Sequence, residues 1–315
     1  MTYALLLGAG IVLALVLTPG ARALGRRWGI VDVPTQRKIH TTSVPRVGGI
    51  SVTLAAMLAL AGTAATGAAD AAEVQSWVPA LLGGLLVFGV GLWDDLRPVR
   101  PGTKLVFQVA GACVAVVLGV RIDHVTLLGT TLGLGLLAAP LTIVWIVGVT
   151  NAFNLVDGLD GLATGLAIIA AGTCAAVSIF RGDVQGGLLL VAFLGALCGF
   201  LPYNFNPATI FLGDSGSLVV GYVLAVTAIT GLQKGATALA VAVPLLIFAL
   251  PISETVLSVV RRTRGHGVRH VFAPDRGHMH HRLLGLGLSH RNAVLLLYVV
   301  SLSLSLLALA TMQIR

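Results

Sequence analysis

Apolar runs close to twenty residues long recur along the whole chain, at 3–21, 47–66, 78–93, 104–120, 137–150, 159–180, 186–202, 216–232, 236–260 and 293–312. About twenty apolar residues are what a helix needs to cross the hydrocarbon of a bilayer. A water-soluble fold has no way to cover so many such runs when only 10% of its residues are charged and 57% are hydrophobic. The expected fold class is therefore an all-α integral membrane protein of about ten transmembrane helices, one polytopic domain over 1–315. The first run has neither a charged n-region nor a small-residue cleavage site, and is read as a retained span. Several runs fall short of full length, so some helices are expected to tilt or to end inside a shared groove. The β-branched, turn-rich stretch 121–136 is expected to form a small hairpin. Cys113, Cys174 and Cys198 lie in apolar runs without CxxC spacing, which argues against a disulfide framework and against zinc.

Ten spans make the loops alternate. One side receives 22–46, 94–104, 151–158, 203–215 and 261–292, which hold six, three, none, none and seven of the twenty Lys and Arg. That side is expected to be cytoplasmic, because basic residues accumulate on the untranslocated face. It also receives seven of the eight histidines. The net charge of +8 would suggest nucleic acid in a soluble chain, but here it follows membrane topology, and no nucleic-acid partner is expected.

The chemistry-bearing residues sit in those same loops. Asn154, Asp157 and Asp160 recur every third residue, which lines them along one helix face beside Gly158 and Gly161. Such a face suits a sugar, a nucleoside or a metal; helix capping is the bland alternative. Intramembrane acids are costly, and this weighs for a site. Asp94 and Asp95 repel one another unless a cation or proton lies between them, which fits Mg²⁺ or a base of raised pKa. On a helix they diverge by about 100°, so one can face a groove while a neighbour holds the other. Arg97, Arg100 and Lys104 downstream offer phosphate partners. Phe211-Leu212-Gly213-Asp214-Ser215-Gly216-Ser217 reads either as a helix N-cap or as a carboxylate holding Mg²⁺ against a diphosphate. Arg276, His278, His280, His281 and Arg282 form a donor cluster better suited to phosphate or sugar than to zinc. Lys38, His40 and Arg46 are phosphate partners or plain topology charges. Glu254, inside the ninth run, is either a supporting partner or a buried hydrogen-bonded acid.

Taken in order, Arg37-Lys38-x-His40, Pro45-Arg46-x-Gly48-Gly49, Asp94-Asp95, Asn154-x-x-Asp157-Gly158-Leu159-Asp160-Gly161, Gly213-Asp214-Ser215-Gly216 and Pro274-Asp275-Arg276-Gly277-His278-x-His280-His281 run almost end to end. This pattern resembles the polyprenyl-phosphate N-acetylhexosamine-1-phosphate transferases, the superfamily of the MraY and WecA/TagO branches. The histidine loop resembles the WecA/TagO branch, with Met279 where that branch usually carries isoleucine.

The resemblance implies a bacterial plasma-membrane enzyme, multi-pass, with its active site facing the cytoplasm. Its donor would be UDP-N-acetylglucosamine, its acceptor polyprenyl phosphate, and its cofactor Mg²⁺, with Mn²⁺ as substitute. It implies a homodimer among membrane lipids. On this reading Asp214 and Asp157 hold the metal, while Asp94, Asp95 and His280 join Asp214 in catalysis. Lys38, Arg46, Asn154, Asp157, Asp160, Phe211, Arg276, His278, His281 and Arg282 bind substrate. The rival within the family is transfer of phospho-N-acetylmuramoyl-pentapeptide. A membrane transporter is the rival of another class, though the motifs crowd one face and not mid-depth. A membrane phosphatase would share the histidines but would not need the Asn154–Asp160 face.

Overall fold

The structure, a computed structural model, describes residues 1–33, 43–127, 130–233, 239–266 and 277–313. It is an all-α integral membrane protein. The helices are α1 (Thr2–Arg27), α2 (Gly48–Ala65), α3 (Ala71–Leu96), α4 (Pro101–Val117), α5 (Ala138–Val156), α6 (Leu162–Phe180), α7 (Val184–Asn204), α8 (Gly213–Gln233), α9 (Leu239–Ile247), α10 (Ala249–His266), α11 (Met279–Gly285) and α12 (His290–Gln313). Among the described residues eight of these are long and apolar enough to cross a membrane, and Pro101–Val117 is a shorter apolar helix.

Helix α8 is the axis of the bundle. It packs on α2, α3, α5, α6 and α7, and 83% of its membrane-crossing window is buried, against 28% for α1 and 33% for α12. A helix that is apolar all round belongs in such a place. The outer helices turn Leu5, Val16, Val299 and Leu306 outward, a lipid-facing surface. Polar contacts inside the bundle are few and directional. Trp145 Nε1 donates to the Ala225 carbonyl at 3.1 Å, and Tyr222 OH to that of Gly111 at 2.8 Å. In hydrocarbon such groups have no water as an alternative partner.

Helices α1 and α7 approach through small residues. A Cβ on Gly199 would lie 2.3 Å from the Ile11 carbonyl oxygen, and one on Gly195 would lie 2.5 Å from that of Leu7. Close backbone approach is how helices pack where the hydrophobic effect is absent. Gly199→Val is therefore expected to destabilise the protein by about 1–3 kcal/mol through overpacking. Gly62→Ala, with nothing within 4 Å of the added carbon, should not lower stability. Thermal unfolding of the two variants in one detergent checks the difference, and equal melting would refute the account.

The expected ninth span, 236–260, is not one helix. It divides into α9 and α10 at Phe248. Pro251 has no N–H to give the Ile247 carbonyl, so the ladder breaks there. The chain resumes through Phe248 N–H to Pro244 O and Ile252 N–H to Phe248 O, both 2.9 Å. The expected hairpin is present as antiparallel β3 (His124–Leu127) and β4 (Thr130–Gly133), with His124 opposite Gly133. A second pair that the sequence did not announce joins β1 (Val31–Asp32) to β2 (Val44–Pro45), with Val31 opposite Pro45.

Candidate active site

Alternation of the helices brings the C-terminal ends of α3, α5 and α7 and the N-terminal ends of α2, α4, α6, α8 and α12 to one end of the bundle. Segment 211–213 crosses that end. Phe211 N–H donates to the Pro45 carbonyl, and Gly48 and Gly49 N–H donate back to Phe211 and Leu212. The Phe211 backbone is thus a strut that fixes Asp214. Gly213 has φ +75°, and a Cβ there would lie 2.3 Å from the Arg46 carbonyl and 2.8 Å from Asp95 Oδ2. Only glycine combines that backbone with that approach.

The structure separates the two neighbouring aspartates. Asp95 is 3% exposed and accepts Asp214 N–H on Oδ1 at 2.9 Å and Ser215 N–H on Oδ2 at 3.0 Å. It caps α8 from another helix, satisfying amides with no partner in their own first turn. Asp94 points elsewhere. Its Oδ1 accepts Val99 N–H at 2.6 Å, and its Oδ2 lies 3.3 Å from Lys104 Nζ. The same ammonium donates to Asp214 Oδ2 at 2.6 Å, while Asn154 Nδ2 donates to Asp214 Oδ1 at 3.1 Å and to Ser217 Oγ at 3.0 Å. Arg46 joins the back of this group, giving Nε to the Asp95 carbonyl at 3.1 Å and Nη2 to that of Asp94 at 3.5 Å.

Asp157 and Asp160 follow at the turn between α5 and α6. Burial first, and then the negative fields of Asp214, Asp95 and Asp160, hold the Asp157 carboxyl well above the usual carboxylate range. Asp160 Oδ2 accepts Asn206 Nδ2 at 2.9 Å and Ala208 N–H at 3.0 Å, and Asp160 N–H donates to His290 Nε2 at 3.0 Å. Asp160 thereby ties the α5–α6 turn to the 203–209 loop and to α12.

The histidine loop is anchored separately. Glu254 of α10, 2% exposed, accepts the Met279 N–H on Oε1, and its Oε2 lies 3.2 Å from His278 Nδ1. His278 is buried, with its ring 6.2 Å from that of His281. His281 and Arg282 are exposed. Lys38 and Arg276 lie outside the described residues, and of His280 only the backbone is described.

Among the described residues no three His, Cys, Asp or Glu side chains form a ready-made metal cage. The donor chemistry nonetheless fits a hard divalent cation. Mg²⁺ is held by one or two carboxylates plus phosphate oxygens and water, and Asp214 with Asp157 would supply such a pair. Among the described residues Lys104 alone faces Asp94 and Asp214, and Asp157 adds a carboxyl under like-charge pressure, so an added cation would relieve crowding.

Sequence reasoning offers Lys104 only as a phosphate partner and not as a partner of the carboxylates, gives Ser217 no role, and leaves Glu254 undecided. Lys104 was visible as a cation ten residues past Asp94, and Glu254 as an acid inside an apolar run. Ser217 carried no signal beyond its place after Asp214.

A polytopic helical bundle with carboxylates, a carboxamide and an ammonium converging at one membrane edge defines a membrane-embedded enzyme class. The model of Glycosyl transferase family 4 matches residues 77–232, which include the Asp94-Asp95, Asn154–Gly161 and Gly213–Gly216 motifs. The chain is 36% identical over 297 residues to the probable undecaprenyl-phosphate N-acetylglucosaminyl 1-phosphate transferase of Bacillus subtilis, covering 94% of this chain and 81% of that protein. It is 36% identical over 307 residues to the decaprenyl-phosphate N-acetylglucosaminephosphotransferase of Mycobacterium tuberculosis, covering 90% and 76%. Its likeness to the phospho-N-acetylmuramoyl-pentapeptide-transferase of Limosilactobacillus fermentum, also 36%, spans 199 residues and 59% of each chain. The chain belongs to Glycosyl transferase family 4, the polyprenyl-phosphate N-acetylhexosamine-1-phosphate transferases that its motifs resemble.

Proposed function

We propose that this protein transfers N-acetylglucosamine-1-phosphate from UDP-N-acetylglucosamine to polyprenyl phosphate, giving polyprenyl-diphosphate-N-acetylglucosamine and UMP. The observation that carries the reading is Lys104 held between Asp94 and Asp214, one hydrogen bond from Asn154, at a membrane edge. An oxygen of the lipid phosphate attacks the sugar-bearing phosphorus. One P–O bond forms, the anhydride P–O bond breaks, and its electron pair leaves with UMP. Both reactants are anions, so the work of the protein is alignment and charge neutralisation.

Asp94 orients the lipid phosphate and takes its remaining proton, a modest task because a phosphate monoester has its second pKa near 6. Lys104 moves from the carboxylates to the phosphates as these arrive. Asn154 and Asp157 meet the nucleotide, and Asp160 meets the uracil with the oxygen that does not brace the 203–209 loop. His278, His281 and Arg282, with Arg276 and His280, grip the sugar and diphosphate. Mg²⁺, or Mn²⁺ in its place, would be held by Asp214 and Asp157 and supplies neutralisation of the diphosphate charge. Asp95 acts by holding the head of α8. The excess of Lys and Arg in the loops at this end supports a cytoplasmic orientation in a bacterial plasma membrane. The homodimer expected from the family is tested by sedimentation in detergent.

The test supplies purified protein with labelled UDP-N-acetylglucosamine, polyprenyl phosphate and Mg²⁺, beside an EDTA control. Label entering the organic phase with stoichiometric UMP is the expected result. Label entering from UDP-N-acetylmuramoyl-pentapeptide alone would move the chain to the other branch. Intact donor accumulating in vesicles would make it a transporter.

Glu254→Gln is expected to raise the donor KM about tenfold with a smaller change in kcat. The substitution loosens His278 by weakening hydrogen bonds to a charged group, each contributing about 1.5–3 kcal/mol. Glu254→Asp should recover part of the loss; a wild-type KM in Glu254→Gln would show that the clamp is idle.

A further inference from the structure

The motif-bearing end of the bundle also holds a concavity to which the proposed transfer assigns no step. Its volume is about 540 Å³, and it lies between the chain leaving α1, from Trp28 to Val31, Arg46, and the last turn of α3, from Trp93 to Arg97. Two guanidiniums line it. The hydrogen bonds of Arg46 go to the backbone carbonyls of Asp94 and Asp95, and no carboxylate among the described residues pairs with it there. Arg97 is exposed, and no acceptor meets its guanidinium among the described residues. The one acid on the wall, Asp95, has both carboxylate oxygens engaged by the Asp214 and Ser215 N–H groups. Among the described residues the cavity is therefore short of an anion.

The rest of its wall says where that anion comes from. Trp28 is 61% exposed, Trp93 49% and Leu96 49%, all at the ends of membrane-crossing helices. Tryptophan at such a depth sits at the headgroup level, its ring against glycerol and the first acyl carbons. Arg26 and Arg27, in the last turn of α1, add positive charge beside the opening. A soluble phosphate would satisfy the arginines and leave these apolar surfaces wet.

We propose that this α1–α3 cavity binds the headgroup of an anionic membrane phospholipid, with its phosphodiester between Arg46 and Arg97 and its glycerol against Trp28 and Trp93. Guanidinium is suited to the purpose because its planar fork pairs two donors with two phosphate oxygens. The bound lipid reaches the reacting group through one side chain, since Arg46 also holds the carbonyls of the Asp94–Asp95 turn. The inference stands apart from the identity of the transferred sugar.

The experiment reconstitutes the protein in phosphatidylcholine nanodiscs containing phosphatidylglycerol and counts retained lipids by native mass spectrometry. Preferential retention of phosphatidylglycerol is expected, about fivefold weaker in Arg97→Gln, at about 1 kcal/mol per interfacial arginine. Arg97→Lys should lose less, Trp28→Ala should also weaken retention, and thermal unfolding of each variant should match the wild type. Parallel arms add inorganic phosphate or polyprenyl phosphate as competitors. Retention unchanged in both Arg97→Gln and Trp28→Ala would overturn the proposal. So would displacement by inorganic phosphate, which marks a free-anion site, or retention of polyprenyl phosphate alone, which marks an acceptor subsite.

Discussion

Lys104→Met is expected to lower kcat/KM for the transfer by about 10²–10³-fold, the usual loss when one preorganised charge partner is removed from a phosphoryl or acyl transfer site. Among the described residues the ammonium is the one cation set against both Asp94 and Asp214, at 3.3 and 2.6 Å. Methionine keeps the length of the side chain and removes its charge, leaving two carboxylates facing an incoming lipid phosphate and a diphosphate. Repulsion then opposes binding as well as chemistry. Lys104→Arg keeps the charge but not the compact geometry, and partial activity is expected from it. The readout is steady-state transfer with each substrate varied in turn. Activity of Lys104→Met within about threefold of wild type would place the essential cation elsewhere and sink the assignment.

The second large effect separates two neighbours. Asp95→Ala leaves the Asp214 and Ser215 amides without their acceptor in a buried setting, and each orphaned donor costs about 1–3 kcal/mol. The expected result is a protein of sharply lowered melting temperature, with the head of α8 frayed and activity lost as a consequence. Asp94→Asn keeps a carbonyl oxygen for the Val99 N–H and should melt like the wild type, while its kcat falls about 10²-fold. Thermal unfolding and kcat measured on the same preparations decide the matter. An Asp95→Ala protein that melts normally yet is dead would reverse the roles of the pair.

Each sequence signal carries only the physical quantity it measures. Spans were legible because lipid rewards apolarity residue by residue, so the eight long helices followed from hydropathy alone. The ninth was misjudged because hydropathy counts Pro244 and Pro251 as acceptable apolar residues and is blind to a missing N–H. Helix geometry foretold that Asp94 and Asp95 would part company, but not which would turn to α8, because the head of α8 lies 119 residues further on from Asp95. The bridge from Lys104 to Asp214 spans 110 positions and was invisible for the same reason. Glu254 announced itself as an acid where acids are expensive. Its partners, 24 and 25 residues later in the histidine loop, emerged only when the start of α11 was seen to meet α10. The β1–β2 pair was too short to leave a period.

The Glu254 clamp has a practical corollary for anyone building hybrids of these enzymes. The carboxylate cluster hangs from α3, α5 and α8, whereas the start of the histidine loop hangs from α10, so the two are separable parts. A graft that exchanged 277–285 for the equivalent stretch of a relative with another donor would leave the cluster undisturbed. It would succeed only if the incoming stretch carried a backbone amide and a ring nitrogen in register with residue 254, or if the acid travelled with it. Otherwise the hybrid would lose both contacts that tie the histidine loop to Glu254.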